Sequence, residues 1–163
     1  MPPSSGTQAQ RTPTRMTPRI LVVEEEGDLR QLSSDVLMMA GYSVEVAEDG
    51  AAGWKAVCDG GYDLVVTDNK MPKVTGIELV GRMRAEAIAI PVIMATGSVP
   101  TAELERSPWL RISVVLQKPF TAAQLLGTVR GVLRLAGNSQ KSASAEISPL
   151  ACHLPPQRAT ARS

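Results

Sequence analysis

Aromatic residues make up only 3% of the 163 positions, with two Trp, two Tyr and one Phe. A core must therefore be aliphatic, built from Val, Leu, Ile, Met and Ala. Cysteine is scarce as well: Cys58 falls on an expected helix, and Cys152, far from it in sequence, in a polar tail. That spacing suggests neither a disulfide framework nor a paired metal site, and a reducing, cytoplasmic setting is expected. No apolar run approaches the roughly 18 residues of a membrane span. The N-terminal segment lacks the apolar stretch of a secretory signal. Its three arginines without an acid faintly suit a transit peptide, but its four prolines oppose the amphipathic helix such a peptide needs. The single histidine, His153, sits in the C-terminal tail and reads as solvated.

A concentrated basic patch is also missing. The net charge of +1 hides a split. Arg11, Arg15 and Arg19 precede position 20, and Lys141, Arg158 and Arg162 follow position 136 against Glu146 alone. Between them stand 11 basic and 15 acidic residues. The expected folded part is acidic and its ends are thinly basic, so a nucleic-acid partner is not expected.

What is present is enough for one aliphatic domain: 44% hydrophobic and 20% charged residues, within a length that suits a single core. Residues 1–18 and 137–163 are rich in Pro, Ser, Thr and Gln, so both are expected to be disordered. Residues 19–136 alternate. Ile20–Val23 reads as a strand. Leu29, Leu32, Val36, Leu37 and Ala40 mark one face of a helix, with Asp28 as its N-cap, Gln31 three residues on, and Gly41 as its stop. A strand in YSVEVA precedes a helix over Gly50–Asp59 capped by Asp49. DLVVTD, PVIMAT and ISVVLQ supply three more strands, with a helix from about Gly76 to Glu86 between the first two. Thr121-x-x-Gln124 forms a capping box for a last helix, with Ala122, Leu125, Leu126, Val129, Leu133 and Ala136 inward. Such βα alternation implies a parallel sheet with helices on both faces and a ligand site at the carboxyl ends of the strands.

Those ends carry the chemistry. Glu24, Glu25 and Glu26 follow strand 1, Asp68 ends strand 3, Thr96 and Gly97 end strand 4, and Lys118 and Pro119 follow strand 5. Three glutamates after a strand read as a solvated turn or as a cation site. Acids from two strands suit a hard divalent cation such as Mg²⁺. A carboxylate can attack phosphorus, and phosphoryl transfer needs positive charge nearby, from a metal and a lysine. Lys70 reads as exposed, or as a group that tunes dephosphorylation. Met71 and Pro72 read as loop packing.

The segments ILVVEEE, YDLVVTDNKMPKVTGIELV, PVIMATG and LQKPF occur together, in this order, over about residues 19–136. In them the chain resembles the receiver domain of response regulators, the phosphoacceptor half of two-component signalling. Asp-x-x-Met-Pro-x-x-x-Gly, from Asp68 through Pro72 to Gly76, is the specific part, with Lys118-Pro119-Phe120 at matching distance. The resemblance implies a flavodoxin-like α/β fold, with five parallel strands in the order 2-1-3-4-5. It implies that Asp68 accepts phosphate from a histidine kinase or a histidine phosphotransfer protein. Mg²⁺ would be held by Glu24, Glu25, Asp68 and the backbone carbonyl of Lys70. Thr96 would be the switch hydroxyl, Lys118 the phosphate-binding lysine, and the Lys118–Pro119 peptide would be cis. Enzyme activity would extend at most to phosphorylation and dephosphorylation of Asp68 itself.

Three departures from the family pattern stand out. Glu25 fills the second acidic position, where the family has Asp and where the residue touches the metal. Val115 replaces the aromatic switch residue. GSVPTAELERSPWLRIS is poor helix material, so a short fourth helix over about Thr101–Ser107 is expected, and Trp109 either covers the core or anchors a partner. The residues after Gly137 are too few and too polar for a DNA-binding or catalytic unit. The expectation is a stand-alone receiver, monomeric or weakly dimeric, that signals to a downstream protein by contact. The alternative is a pseudo-receiver that binds partners without phosphorylation. An Mg²⁺-dependent phosphohydrolase would want a second acid two residues after the nucleophile, where Lys70 stands.

Overall fold

A computed structural model describes residues 17–140, the last two by backbone alone. The expectations for residues 1–16 and 141–163, with Cys152 and His153, lie outside the described residues. The elements are β1 (Arg19–Val23), α1 (Gly27–Met39), β2 (Ser43–Ala47), α2 (Gly50–Asp59), β3 (Leu64–Thr67), α3 (Gly76–Ala85), β4 (Val92–Thr96), α4 (Thr101–Arg106), the 3₁₀ turn Pro108–Leu110, β5 (Val114–Gln117) and α5 (Ala122–Gln140). α5 continues past position 136, where the composition suggested a tail.

All four strand pairings are parallel, and the sheet order is β2-β1-β3-β4-β5. β1 and β3 show why. Successive side chains on a strand point to opposite faces. In β1, Ile20 and Val22 enter one core with Leu37 of α1 and Leu125 and Val129 of α5. Leu21 and Val23 enter the other with Val57 of α2 and Leu79, Val80 and Met83 of α3. A strand that buries both faces must be apolar throughout. β1 from Ile20 on, β3 up to Val66 and β4 up to Ala95 are, and these are the three inner strands. β2 and β5 form the edges and expose Val46 and Val114.

The helix ends follow local chemistry with one correction. Asp49 caps α2 through the Ala52 amide at 2.7 Å. Thr121 and Gln124 form the expected reciprocal capping box of α5. Asp28 does not cap α1: the helix starts at Gly27, two residues earlier than that cap would place it, its N-cap is Glu26, and no side chain caps it. Gln31 instead donates to Asp35. Nor does Leu32 face inward. It is 60% exposed, and Ser33, Ser34 and Leu37 are the residues of α1 that are buried. In α5, Ala122 is exposed, and Val132 joins Leu125 and Val129 in the core. α4 is short, as expected, because Pro108 lacks the amide needed to continue it. Trp109 is 55% exposed, and its ring lies near Gly81 of α3.

Candidate functional site

The carboxyl ends of β1, β3, β4 and β5 come together through the sheet register. Val23, the last residue of β1, is in register with Thr67, the last of β3. Glu24 and Asp68 are the next residues on each chain. Their backbones stay in the ladder for one more step: the Glu24 amide donates to Ala47 and the Asp68 amide to Val23, both at 3.1 Å. The Lys118 amide donates to the Thr96 carbonyl at 2.9 Å, which fixes the lysine beside the end of β4.

Lys118 is the centre of the cluster. Its ammonium donates to Glu24 Oε2 at 2.7 Å and to Asp68 Oδ2 at 2.8 Å. Both carboxylates are buried. Burial alone would push the Lys118 pKa down, but its hydrogen bonds to Asp68 and Glu24 and their charges outweigh it, so the net shift is upward. The remaining oxygens of the two acids are also engaged. Glu24 Oε1 accepts from the Glu26 amide at 3.1 Å. Asp68 Oδ1 accepts from the amides of Asn69 and Lys70.

The loop after Asp68 is shaped by Asn69 and Gly76. The Gly76 amide donates to the Asn69 carbonyl and the Ile77 amide to the Asn69 side chain, both at 3.1 Å. Gly76 has no alternative: a Cβ there would lie 2.2 Å from the Asp68 carbonyl oxygen. Met71 is buried in the α2–α3 core, whereas Pro72 is exposed. Thr96 is buried, and its hydroxyl donates to the Ser98 carbonyl at 3.2 Å. The Lys118–Pro119 peptide is cis. Leu29, Lys118, Pro119 and Phe120 line a shallow cavity of about 340 Å³ beside the cluster. Val115 is half-buried on β5, in register with Met94.

Glu25 is not brought in. It is exposed, as are Glu26 and Lys70. Among the described residues, no three His, Cys, Asp or Glu side chains lie together as a metal-holding group. The donor set of Glu24 and Asp68 is still of the right chemistry for a hard divalent cation, which takes one or two carboxylates with carbonyls and water.

Reading the sequence missed three features of this region. Arg30 of α1 donates to the carbonyls of Glu24 and Glu25, and nothing in its sequence context announces that. Lys73, at φ +67°, pairs with Asp49 at 2.8 Å and so ties the loop after Asp68 to the start of α2. Thr75 and Glu78 form a capping box for α3, and its Thr-x-x-Glu pattern is legible in the sequence.

Comparison with known proteins agrees with this geometry. The family model "response regulator receiver domain" matches residues 20–130. The transcriptional regulatory protein DltR of Streptococcus agalactiae is 34% identical over 112 residues, which cover 69% of this chain and 50% of that protein. The chain thus spans about half the length of that curated relative. Among solved structures, the response regulator TrrA of Thermotoga maritima, in complex with Mg²⁺ and BeF, is 30% identical. Its TM-score is 0.64, with 71% of this chain and 99% of that one covered. A CheY-like receiver domain from Methanospirillum hungatei shares the fold at 23% identity and a TM-score of 0.71, covering 76% and 98%. With the fold, the strand-end cluster and the family match in agreement, the chain belongs to the response regulator receiver family of two-component signalling.

Proposed function

We propose that Asp68 is the phosphoacceptor and that its phosphoryl donor is the phosphohistidine of a sensor kinase or a phosphotransfer protein. An Asp68 carboxylate oxygen attacks phosphorus and the P–N bond breaks. The electron pair leaves on the imidazole nitrogen, and an acyl phosphate remains on the aspartate. The observation that carries this reading is the Lys118 ammonium, 2.8 Å from Asp68 Oδ2 at the end of β3. It supplies a fixed positive charge where the transferred group would gather negative charge. The Asn69 and Lys70 amides orient the other Asp68 oxygen. The Thr96 hydroxyl, now on the Ser98 carbonyl, is the group free to turn to a phosphoryl oxygen.

Glu24, Glu25, Asp68 and the Lys70 carbonyl are the groups that would hold Mg²⁺, Glu25 by turning in from its exposed position. Bound there, the ion would neutralise charge on the phosphoryl oxygens. Signalling would pass to a downstream protein by contact, in the cytoplasm, from a monomer or a weak dimer. The relative DltR is a transcriptional regulator, so the output that this receiver serves belongs to the same question.

A second reading is favoured by two residues. Glu25 is exposed and Val115 offers no ring to move, which suits a pseudo-receiver that binds its partner without phosphorylation. Intact-mass measurement after incubation with phosphoramidate and Mg²⁺ separates the two. One added phosphoryl group that vanishes in Asp68→Asn supports the phosphoacceptor. An unchanged mass in the native protein leaves the pseudo-receiver.

A further inference from the structure

Lys73 has a backbone that residues other than glycine seldom adopt, with φ at +67°. Across it, the Val74 amide donates to the Pro72 carbonyl at 2.8 Å. A bond between residues two apart, with a positive φ between them, is a γ-turn of the rare and strained hand. A residue held this way stays so only where its surroundings fix it, and such residues cluster at functional sites.

Two contacts fix this turn, and both come from the start of α2. The Lys73 ammonium pairs with Asp49 Oδ2 at 2.8 Å, and Asp49 is buried. The other Asp49 oxygen accepts from the Ala52 amide, so the carboxylate is itself held. Just beyond the turn, Val74 is buried, and its carbonyl oxygen lies 2.1 Å from where a Cβ on Gly50 would stand. The Lys73 side chain is 67% exposed, and an ion pair so exposed adds little to overall stability. Its effect falls on local geometry instead.

The turn closes a short span that begins next to Asp68. Asn69 is fixed at the near end by bonds from the Gly76 and Ile77 amides. Only Lys70, Met71 and Pro72 lie between it and Lys73. Met71 is buried, and the Pro72 ring locks its own φ. A span this short, held at both ends, has few dihedrals left to move. Opening the turn at Lys73 therefore tilts the peptide plane that carries the Lys70 carbonyl.

We propose that the Asp49–Lys73 pair is the latch of this turn, and that Lys73 is thereby a positioning residue that aims the Lys70 carbonyl at a divalent cation. The proposal rests on the reading of this pocket as a divalent-cation site.

Calorimetric titration with Mg²⁺ tests it on the full chain and on Asp49→Asn, Lys73→Met, their double variant and Lys73→Gly. Asp49→Asn keeps an acceptor for the Ala52 amide and removes the charge of the latch. If the pair acted only through its charges, Lys73→Met would raise the affinity, because a positive charge near the cation is gone. The latch gives the opposite sign: Lys73→Met and Asp49→Asn should each lower the affinity about threefold or more, as loss of an outer contact behind a ligand does. The double variant should lose no more than the weaker of the two, because both changes open the same turn. Lys73→Gly should bind within about twofold of the native chain, because glycine takes a positive φ without strain. The HN–Hα coupling of Lys73 by NMR should change in Asp49→Asn. A merely stabilising pair would lower the melting temperature and leave that coupling and the affinity unmoved.

A native or raised affinity in Lys73→Met, an additive loss in the double variant, a loss in Lys73→Gly as large as in Lys73→Met, or an unmoved Lys73 coupling would overturn the proposal while the native chain still binds Mg²⁺. Binding in none of the five proteins would overturn it together with the cation-site reading. Phosphoramidate labelling of Asp68, read separately by mass, reports on the phosphoacceptor reading, so the two can fail independently.

Discussion

Gly76 lies so close to Asp68 that a methyl group on its α-carbon would sit 2.2 Å from the Asp68 carbonyl oxygen, with the Asn69 α-carbon at 2.9 Å. The obstacles are backbone atoms, which cannot swing aside as a side chain does. Gly76→Ala should therefore destabilise the fold by about 2 kcal/mol, as overpacking of a tight contact does. It should also shift the Asp68 carboxylate. Urea unfolding measures the first effect, and the rate of phosphoramidate labelling the second. A variant with native stability and native labelling would show that the loop relaxes freely.

Lys118→Met would leave two buried carboxylates without their shared cation. Removing one partner of a fully buried pair costs about 3–5 kcal/mol, and an exposed pair is worth less than about 1. The Lys118 side chain is 18% exposed, so a loss of about 2 kcal/mol in urea unfolding is expected, between those limits.

The same lysine gives a pH dependence. Its folded pKa is raised above the ordinary 10.5, so folding favours the protonated form. The stability it contributes is fully present below the unfolded pKa and is lost as pH rises through the folded value. Unfolding midpoints of the native protein should fall on the alkaline side of pH 10.5, and those of Lys118→Met should fall less steeply.

Asp49 and Lys73 predict the opposite limb. The hydrogen bond from Lys73, then that from the Ala52 amide, hold the Asp49 carboxyl below its ordinary 3.8. A depressed folded pKa contributes stability above the unfolded value, and that stability disappears as pH falls through the folded one. Asp49→Asn keeps an acceptor for the Ala52 amide and loses the charge. Its acid unfolding should be flatter than that of the native chain below pH 3.8, as followed by circular dichroism.

Arg84 supports the far side of the molecule. Its guanidinium donates to the carbonyls of Leu110, Ile88 and Ile90 at 2.8, 2.6 and 3.1 Å, and to that of Arg111 at 3.4 Å. Arg84→Met fills the space and leaves those carbonyls without their donor. Each buried acceptor left unpaired costs about 1–3 kcal/mol. Water reaches a half-buried site, so a total of about 2–3 kcal/mol is expected. Hydrogen exchange should quicken around Pro108–Leu110 before it does in β1.

Much of the architecture is written in local pattern. The inner-strand runs ILVV, LVV and VIMA are apolar without alternation because helices cover both their faces, and that signal needs no neighbour to be read. Asp49, Thr121 and Gln124 cap helices through amides three residues away, so their roles are equally local. Pro108 stops α4 by its own covalent structure. Asp68, Thr96 and Lys118 were legible as strand-end residues because a parallel sheet gathers its carboxyl ends on one edge.

Tertiary structure decided the rest, wherever a role depends on a partner distant in sequence or on the direction of a bond. Leu32 fits the periodic face of α1 but is exposed, because the surface that α1 meets accepts Ser33, Ser34 and Leu37 instead. Asp28 has the chemistry of a cap, yet the chain had already entered the helix at Gly27. The partners of Arg84 and Lys73 lie across loops that no sequence spacing predicts. Glu24 and Glu25 are neighbours of identical chemistry, so composition and order cannot separate them. One is buried because the parallel sheet brings Lys118, just past the end of β5, onto its carboxylate, and the other is left exposed to solvent.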